Sequence, residues 1–542
     1  MNRFLIFLLL SIFCILNSKF YAAETDSLKT YHLQDSIIVV ADRYQVSLQS
    51  VTNSMDILPV KTNAALASHS VLQMVDMLSP STFVLDKKIM GYGVGTAGAG
   101  SINMRGMGGK PNSGVLVLIN GRPDFMGIFG HPLPDVYGLD GIEKVEVVKG
   151  PSSAVFGSNA MAGIINLITD PPVSNMMQIN MQGGSYNSYI QNGRIDLIRG
   201  KTSFRGLFSH KSSDGHVDLS GFNGWNFSTR IDQKLAHDWH FSLEGKYVPY
   251  RFDDPSMGED VAGLGSYGTI RRGMADATLT GNTGKLKNSF HLYTNLGHHR
   301  FSDGFESHDF SYGFSSYQHY GFSDHIQLGF GMDAIRYGGK AKNTVFPMAP
   351  PRPDLHIINS LGGYAVGFYT PHPRLTVKGG LRYQYTSLKI EKLTPTAGIS
   401  YLPTNFLKVF ANFNEGFRVP TLQELYLFPA SNGSLGAEEV KSYEIGSTVY
   451  SNNRNSLRLS YFRNKIDNII QTIFIPGQIP PYRFANSGSA SQWGIESSAS
   501  LQPVPFLSVQ LSYSYLEPDG LTALNPQNLF KYFVSTNWRK LK

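Results

Sequence analysis

Apolar and polar side chains alternate with a period of two along the chain from about residue 175 to beyond residue 530. In 507–515 (LSVQLSYSY), Leu507, Val509 and Leu511 fall on one face of an extended strand, and Ser and Gln residues fall on the other. Because successive side chains of a strand point to opposite faces, each such strand has one apolar and one polar face. This pattern restricts the region to a large β-sheet with a wet side and an apolar side.

The connections between these strands alternate in length. About eighteen strands can be counted, and every second connection is short, as in TPHPR (370–374) and LPTN (402–405). Most of the others are long, as in 251–267, 338–359, 420–439 and 475–487. Short turns on one rim, long loops on the other, and Tyr and Phe near strand ends are typical of an outer-membrane β-barrel. A large soluble β protein with one wet face, such as a propeller, is the alternative.

Composition agrees with a β-rich protein that carries little charge. Charged residues make up 16% of the chain, against about 25% in average soluble domains. The sequence has no apolar run of 18 or more residues, so strands rather than helices would have to cross a membrane. The net charge of +7 is small for 542 residues, and no nucleic-acid partner is expected.

Residues 1–23 have the form of a secretory signal peptide. Arg3 is followed by an apolar run at 4–16, and Ala23 precedes the expected cleavage point. The chain's single cysteine, Cys14, lies within this segment. The exported protein would therefore contain no disulfide and no thiolate metal site.

Residues from about 36 to 172 have a different pattern, which predicts a compact α+β unit. A helix is expected at 70–78, where Val71, Leu72 and Val75 have helical spacing and Ser70 is a possible N-cap. Short strands are expected within this unit at 101–106, 115–121, 144–150 and 164–169.

The stretch 145–169 (VEVVKGPSSAVFGSNAMAGIINLIT) joins two β-branched runs through small residues. Gly150 and Pro151 are expected to end the first strand sharply. The Gly, Ala and Ser residues that follow would let backbone approach backbone closely. A Gly-rich corner of an ordinary globular domain is the alternative interpretation.

These stretches resemble a known family. VLVLINGRP (115–123), the segment 142–169 and INMRGMG (102–108) are similar to the plug domain of TonB-dependent outer-membrane receptors. NEGFRVPTLQELY (414–426) with KSYEIG (441–446) resembles a motif of their barrels. The resemblance implies a transmembrane β-barrel with an N-terminal α+β plug inside its lumen, in the outer membrane of a Gram-negative bacterium.

The resemblance also implies a division of the chain. After the signal peptide we expect a periplasmic segment at 24–41, a plug domain at 42–172 and a barrel at 175–542. Barrels of this kind have about 22 strands, whereas the sequence ends in FVSTNWRKLK (533–542) after about eighteen. About four strands are therefore expected to be missing. The receptor is expected to act as a monomer among outer-membrane lipids.

DSIIVVA (35–41) is similar to the TonB box of the family. The resemblance implies that TonB, the energy-transducing protein of the inner membrane, binds here by adding this strand to its own sheet. Ile37–Val40 could instead be the first strand of the plug. The predicted box consists of Asp35, Ser36, Ile37, Ile38, Val39, Val40 and Ala41.

Four charged residues match those that join plug and barrel in the family, and we call them the charge latch: Arg105, Lys149, Glu444 and Glu496. Lys149 stands where the family usually has an arginine, which keeps the charge but loses the planar fork. Strand alternation places both glutamates on the lumen side. The alternative is that each is a separately solvated lumen charge.

The resemblance implies uptake of a scarce, large nutrient. A ferric siderophore is favoured, with cobalamin next and then haem or a copper complex. No His lies between FRVP (417–420) and NGSL (432–435), where haem receptors place one. The candidate ligand-binding residues lie in plug loops expected to face outward: Tyr92, Arg105, Lys110, Arg122, Phe125, Phe129 and His131. Aromatic and basic groups suit an anionic, aryl-rich iron chelate. The alternative is that these are ordinary loop residues without a role in ligand binding.

Other classes are disfavoured. GVGTAG (93–98) fits G-x-G-x-x-G but precedes a strand rather than a helix, so no enzyme and no cofactor are expected. The acidic residues Asp253, Asp254, Glu259 and Asp260 would suit calcium, but a solvated loop is favoured and no metal site is predicted. A passive porin or adhesin barrel remains the alternative class, without a plug or TonB box.

Overall fold

The computed structural model describes residues 38–39, 43, 46–47, 50–60, 69–93, 100–109, 113–169, 171–254, 267–345, 350–452, 455–504, 506–518 and 525–536. The predicted signal peptide, most of the predicted TonB box, Lys110 and the acidic-loop residues Glu259 and Asp260 lie outside these ranges.

The described residues from 38 to 169 form an N-terminal unit of short strands and helices. Its helices are α1 (Val71–Leu78), α2 (Ser153–Phe156) and a 3₁₀ turn at Pro134–Val136. Its strands are β1 (Ile38–Val39), β2 (Val46–Ser47), β3 (Met55–Pro59), β4 (Thr82–Val84), β5 (Ile102–Met104), β6 (Met107–Gly108), β7 (Val115–Ile119), β8 (Arg122–Pro123), β9 (Ile142–Lys149) and β10 (Gly163–Thr169).

The centre of this unit is a five-stranded sheet of order β3-β9-β10-β7-β8. β10 pairs antiparallel with β9 and parallel with β7. Helix α1 begins where the sequence predicts, because Ser70 Oγ accepts a hydrogen bond from the backbone N–H of Gln73 at 3.1 Å. Val71, Leu72, Met74 and Val75 are the buried face of this helix.

The small residues of 150–163 allow the close backbone approach that the sequence predicts. Gly163 has a φ of +147° and stands at the start of β10, opposite Lys149 in β9. A Cβ atom at this position would collide with the carbonyl oxygen of Val148. Only glycine fits here, since its missing side chain lets the chain turn directly into the next buried strand.

The rest of the described chain forms one 18-stranded sheet in which each strand pairs antiparallel with its sequence neighbours. Its strands are β11 (Met176–Gly184), β12 (Ser188–Arg199), β13 (Thr202–Ser213), β14 (Phe222–Lys234), β15 (His240–Asp253), β16 (Tyr267–Thr283), β17 (Leu286–Phe301), β18 (Phe305–Gly321), β19 (Ile326–Asn343), β20 (His356–His372), β21 (Leu375–Thr386), β22 (Glu391–Thr404), β23 (Leu407–Arg418), β24 (Glu438–Asn452), β25 (Asn455–Phe474), β26 (Tyr482–Val504), β27 (Leu507–Glu517) and β28 (Asn528–Thr536).

Two predicted loops are shorter than expected. β19 continues to Asn343 and β20 begins at His356, so much of 338–359 is strand. β26 begins at Tyr482 and therefore takes in the second half of the predicted loop 475–487. Alternation continues through these segments, but Gly and Pro residues beside them obscured it.

Burial alternates along the large sheet as the sequence pattern predicts. In β24, Tyr443 and Ile445 are 47% and 61% exposed, whereas Glu444 between them is 5% exposed. The same holds in β26, where Ile495 is 38% and Glu496 3% exposed. The sheet thus has an apolar outer face and a polar inner face.

The N-terminal unit packs against the inner face of the large sheet. One core cluster combines Val71 and Ile165 of the unit with Phe252 and Ile270 of the sheet. Helix α2 lies beside β20 to β23. Within the described residues, β11 and β28 each have a ladder partner on one side only. None of the described helices is long and apolar enough to span a membrane.

Candidate functional site

Arg105, in the turn between β5 and β6, joins the N-terminal unit to two strands of the large sheet. Its Nη2 lies 2.6 Å from Oε1 of Glu444, and its Nε lies 2.7 Å from Oε1 of Glu496. All three side chains are at most 3% exposed. The structure therefore brings together three of the four residues of the predicted latch.

Lys149, the fourth latch residue, contacts Glu496 and extends the cluster. Its Nζ lies 3.4 Å from Oε2 of Glu496 and 3.0 Å from Oδ2 of Asp56. The other carboxylate oxygen of Asp56 lies 2.8 Å from Nη1 of Arg458 on β25. Sequence reasoning missed Asp56 and Arg458. Each charge in the row has an opposite neighbour, which a buried cluster requires.

The surroundings of Arg105 fix both its side chain and its backbone. The guanidinium lies 4.5 Å from the ring centroid of Phe462, and the Arg105 carbonyl accepts a hydrogen bond from Gln492 Nε2 at 2.8 Å. Asn412 Nδ2 holds the second oxygen of Glu444 at 2.9 Å. Arg105 has a φ of +53°, a strained conformation for a non-glycine residue that only its contacts can maintain.

Arg105 and Asp56 of the N-terminal unit have shifted pKa values. Burial alone would lower the pKa of Arg105, but the charges of Glu444 and Glu496 outweigh burial and raise it. Burial alone would raise the pKa of Asp56, but Lys149 and Arg458 hold it below its usual range. Both groups are therefore charged at neutral pH.

Arg43, which follows the predicted TonB box closely, is 3% exposed and lies against the inner face of the large sheet. Its Nη1 is 2.6 Å from Oδ1 of Asp333 on β19. Its guanidinium carbon lies 5.0 Å from the ring centroid of Phe156 in α2, 5.7 Å from that of Tyr317 and 5.4 Å from that of Tyr364. This cation–π cage could not be predicted from the sequence pattern.

Asp333 also links Arg43 to helix α2. Its Oδ2 lies 2.9 Å from Nη1 of Arg382 on β21. The same Nη1 donates a hydrogen bond to the carbonyl of Val155 in α2 at 3.2 Å. A displacement of Arg43 would therefore disturb a carboxylate that orders a helix of the N-terminal unit.

Two residues of the predicted TonB box are described. β1 pairs antiparallel with β2, with Ile38 opposite Ser47 and Val39 opposite Val46. Ile38 and Val39 are thus extended, as strand addition to a partner requires. Its role as a TonB box stays a prediction.

Four of the predicted ligand-binding residues are buried, which corrects the expectation that they face outward: Tyr92, Arg105, Arg122 and Phe125. The Tyr92 hydroxyl lies 3.0 Å from Ser70 Oγ, and Nε of Arg122 lies 3.7 Å from Oδ2 of Asp276. Lys110 lies outside the described residues. Phe129 and His131 are partly exposed, and burial lowers the pKa of His131.

The loop that carries Phe129 and His131 is anchored by an ion pair of the large sheet. Nη1 of Arg272 on β16 lies 2.6 Å from Oδ2 of Asp309 on β18. The same Oδ2 accepts a hydrogen bond from the backbone N–H of Gly127 at 2.9 Å, and Arg272 Nη2 donates to the Phe125 carbonyl at 3.3 Å. The position of this loop therefore depends on Asp309.

Aromatic rings from both parts of the chain form a continuous series at the end where the longer loops lie. Neighbouring ring centroids are 5.7–6.4 Å apart, the spacing of favourable aromatic pairs. Phe305 joins the two parts, because it contacts Phe129 of the N-terminal unit. We call this series the aromatic arc: Phe222, Tyr250, Phe252, Phe301, Phe305, Phe129 and Phe428.

The FRVP motif positions the loop that follows β23. Arg418 Nη1 lies 2.9 Å from Oε2 of Glu424, and its Nε lies 2.6 Å from Oε2 of Glu438. These contacts order a short π-helix at Gln423–Leu427. Tyr426 of this helix is 41% exposed and stacks on His356 with centroids 4.5 Å apart. The loop thereby adds exposed rings beside the aromatic arc.

Two family models cover most of the chain. The model described as "TonB dependent receptor-like, beta-barrel" matches residues 175–540, and the "TonB-dependent Receptor Plug Domain" matches residues 47–164. The chain belongs to the TonB-dependent receptors. The N-terminal unit is accordingly the plug of the receptor, and the large sheet is its barrel.

Curated relatives of this receptor have two kinds of ligand. The vitamin B12 transporter BtuB of Photobacterium profundum is 24% identical over 465 residues, which are 82% of this chain and 71% of that protein. The rhizobactin receptor of Rhizobium meliloti is 24% identical over 390 residues, 53% of this chain and 52% of that protein.

Solved structures share the fold of the receptor. The alcaligin outer-membrane receptor FauA from Bordetella pertussis has a TM-score of 0.74 and 16% identity, and the match covers 95% of this chain and 90% of that chain. The siderophore receptor PirA from Pseudomonas aeruginosa has a TM-score of 0.69 and 18% identity, covering 86% and 85% of the two chains.

Membership in the TonB-dependent receptor family establishes the general class of this protein. TonB-dependent receptors are transporters of the outer membrane of Gram-negative bacteria that bind small-molecule ligands such as siderophores, and they are not enzymes. The enzyme and passive-barrel alternatives of the sequence analysis are therefore set aside. The predicted domain limits, the site residues and the ligand are not decided by membership.

Proposed function

We propose that this receptor takes up a ferric siderophore, and that Phe129, Phe305 and Phe428 of the aromatic arc form its outer binding surface together with Tyr426. The observation that carries this proposal is that Phe129 of the plug contacts Phe305 of the barrel mouth, with ring centroids 5.7 Å apart. A ligand on this surface would touch plug and barrel together. Binding could therefore be transmitted to the plug.

The chemistry of the surface suits an aryl-bearing chelate. Phe129, Phe305, Phe428 and Tyr426 all retain exposed surface, and flat rings of this kind stack on aromatic groups of a ligand. The nearby carboxylate of Asp309 is neutralised by Arg272, so it would repel an anionic chelate little. His131 and His356 supply polar edges beside the rings.

Cobalamin is the second candidate. It is supported by the similarity to BtuB, which extends over a larger share of this chain than the similarity to the rhizobactin receptor does. Haem and copper complexes rank lower, as the sequence analysis suggested.

The coupling to TonB is proposed to use the segment 35–41 and the charge latch. TonB would bind the segment as an added strand and pull on the N-terminus of the plug. Arg105 and Lys149 would then have to leave Glu496, a contact that is otherwise retained because each charge is buried and paired.

Ligand identity can be tested in a host that lacks its own siderophore and cobalamin receptors. Cells that produce this receptor are given ⁵⁵Fe loaded on catecholate, hydroxamate or carboxylate siderophores, or ⁵⁷Co-cobalamin, haemin or a copper chelate. We expect energy-dependent uptake of iron from an aryl-bearing siderophore. Uptake of cobalamin alone would instead establish the second candidate.

The binding surface can be tested with matched variants. Phe129→Ala and Tyr426→Ala should each weaken binding of the transported siderophore about tenfold, since one buried aromatic contact is worth roughly 1–2 kcal/mol. Phe406→Ala, at an exposed position in the turn before β23 on the opposite rim, is the control. Unchanged affinity in both test variants would refute the proposed surface.

A further inference from the structure

The outer wall of the barrel carries two rows of mostly basic residues at the ends of β15 to β19. Strand register places four residues side by side in the first row: Arg271, His298, His308 and Lys340. The second row lies two residues further along each strand: Arg251, Thr269, Arg300, Glu306 and Lys342. We call both rows together the outer-wall basic patch.

These side chains point away from the plug. The residues that alternate with them face the lumen and are buried, with Arg272, His299 and Asp309 at 6%, 2% and 4% exposure. In contrast, the side chains of His308 and Lys342 are 53% and 52% exposed. The basic patch is therefore on the surface that meets the membrane rather than on the path of the nutrient.

The patch lies directly above an apolar surface. The next outward row contains Tyr247, Gly273, Leu296, Phe310 and Gly338, about 7 Å below the first basic row, since strands rise about 3.4 Å per residue. Leu296 is 47% exposed. The patch is thus at the border between the hydrocarbon layer and water, on the rim with the longer loops, which face the cell exterior in outer-membrane barrels.

Charge is concentrated in this sector of the rim. The patch holds five Arg and Lys side chains, of which Arg251 lies 3.6 Å from Asp253. Its only acid is Glu306, whose Oε1 lies 3.0 Å from His298 and whose Oε2 lies 3.3 Å from Lys342. On the far side of the barrel, the outward cations Lys441, Arg463 and Lys465 are matched in number by the outward acids Glu415, Glu439 and Asp467, so that sector is not basic in the same way.

We propose that the outer-wall basic patch binds the phosphate groups of a phosphorylated glycolipid in the outer leaflet. Guanidinium groups of Arg271 and Arg300 match the geometry of phosphate oxygens, and Lys340 and Lys342 add charge beside them. The exposed apolar row around Leu296 would take the acyl chains of the same molecule. An amphiphile with anionic headgroups satisfies both surfaces, whereas a free anion satisfies only one.

A divalent cation is the competing occupant. His298, Glu306 and His308 have ligand atoms within 4.8 Å of one another, and such a set could hold zinc. However, Lys342 Nζ already occupies one side of Glu306 at 3.3 Å. The remaining cations of the two rows would repel a metal ion and attract an anion. Charge therefore favours the phosphorylated lipid.

The test compares two triple variants of the full-length receptor purified in a non-ionic detergent. Arg300→Gln/Lys340→Gln/Lys342→Gln removes three charges of the patch. Lys441→Gln/Arg463→Gln/Lys465→Gln removes three exposed charges from β24 and β25. Native mass spectrometry and a fluorescence titration measure binding of bis-phosphorylated lipid A, of its dephosphorylated form, of inorganic phosphate and of Zn²⁺.

We expect the patch variant to lose about a hundredfold in affinity for bis-phosphorylated lipid A, because each basic side chain at a membrane surface contributes roughly one kcal/mol. The control variant should stay within about twofold of the wild type. Equal loss in both variants, equal binding of the dephosphorylated lipid, or saturation by inorganic phosphate would overturn the proposal. Zinc binding without lipid binding would assign the site to a metal instead.

Discussion

Arg105 of the plug donates two hydrogen bonds to the same barrel carboxylate, from Nε to Oε1 of Glu496 at 2.7 Å and from Nη2 to Oε2 at 3.1 Å. The two residues are 391 positions apart in the sequence. This bidentate contact is the strongest form of an arginine–carboxylate pair. Since Arg105 also contacts Glu444, it joins the plug to two carboxylates of the barrel.

Substitution at the latch should affect plug and barrel jointly. Arg105→Ala leaves the carboxylates of Glu444 and Glu496 buried without their arginine partner. Glu444→Ala removes one of the two carboxylates that contact Arg105. Each should destabilise docking of the plug by about 3–5 kcal/mol, the usual result of breaking a buried ion pair. Hydrogen exchange of the amides in β9 and β10 measures this as a free energy of local opening.

The double variant Arg105→Ala/Glu444→Ala distinguishes a charge latch from separately solvated charges. Because both residues take part in one contact, we expect the double variant to fall short of the sum of the single effects by about 1–3 kcal/mol. Simple additivity would refute the latch. Glu391→Gln, at an exposed position of β22, is the control for a lost barrel carboxylate.

Arg43 should hold the N-terminal segment against the barrel until TonB acts. Arg43→Gln removes the ion pair to Asp333 and most of the attraction to the ring of Phe156. We expect faster exchange of the amides of α2, because Asp333 also orients the Arg382 side chain that contacts Val155. Arg43→Lys keeps the charge and should have a smaller effect. Identical exchange in wild type and Arg43→Gln would show that the cage does not stabilise the segment.

Asp309 should control ligand affinity from a distance. Asp309→Asn weakens its pair with Arg272 and its hold on Gly127, so the loop that carries Phe129 would lose its fixed position. We expect binding of the transported siderophore to weaken about tenfold, or ~1.4 kcal/mol, with the barrel still folded by circular dichroism. The control is Asp324→Asn in the exposed turn before β19, which should bind normally.

Acid should remove the contribution of Asp56 to stability. Lys149 and Arg458 hold the pKa of Asp56 below its usual range despite burial, so its stabilising effect is complete above the pKa of the undocked group, about 3.9. The effect is lost as pH falls through the lower pKa of the docked group. The difference in Tm between wild type and Asp56→Asn should thus be largest at pH 6–7 and shrink below about pH 4. A constant difference across this range would contradict the assignment.

Strand faces could be predicted from the sequence, because alternation is a local property of each strand. The inward position of Glu444 follows from its neighbours Tyr443 and Ile445 alone. The strand ends at Asn343 and Tyr482 were harder to predict, since Gly and Pro residues interrupt the apolar pattern there. Pairing with the neighbouring strands β18 and β25 extends β19 and β26 beyond the ends that their own residues suggest.

Contacts between distant parts of the chain could not be predicted in the same way. The pair of Asp56 and Arg458 joins residues 402 positions apart, and neither residue stands in a recognisable motif. The same is true of Arg43 and Asp333. Burial of Tyr92 and Arg122 also escaped prediction, because their partners Ser70 and Asp276 lie in other elements.

TonB-dependent transport is tested most directly by uptake of the transported siderophore through a receptor that lacks residues 35–41. Surface binding of the labelled ferric siderophore is measured in the same cells at low temperature, with wild type and a TonB-deficient host as references. If TonB acts through this segment, binding should be normal and uptake should fall to that of the TonB-deficient host. Normal uptake by the deleted receptor would contradict the proposed energy coupling through this segment.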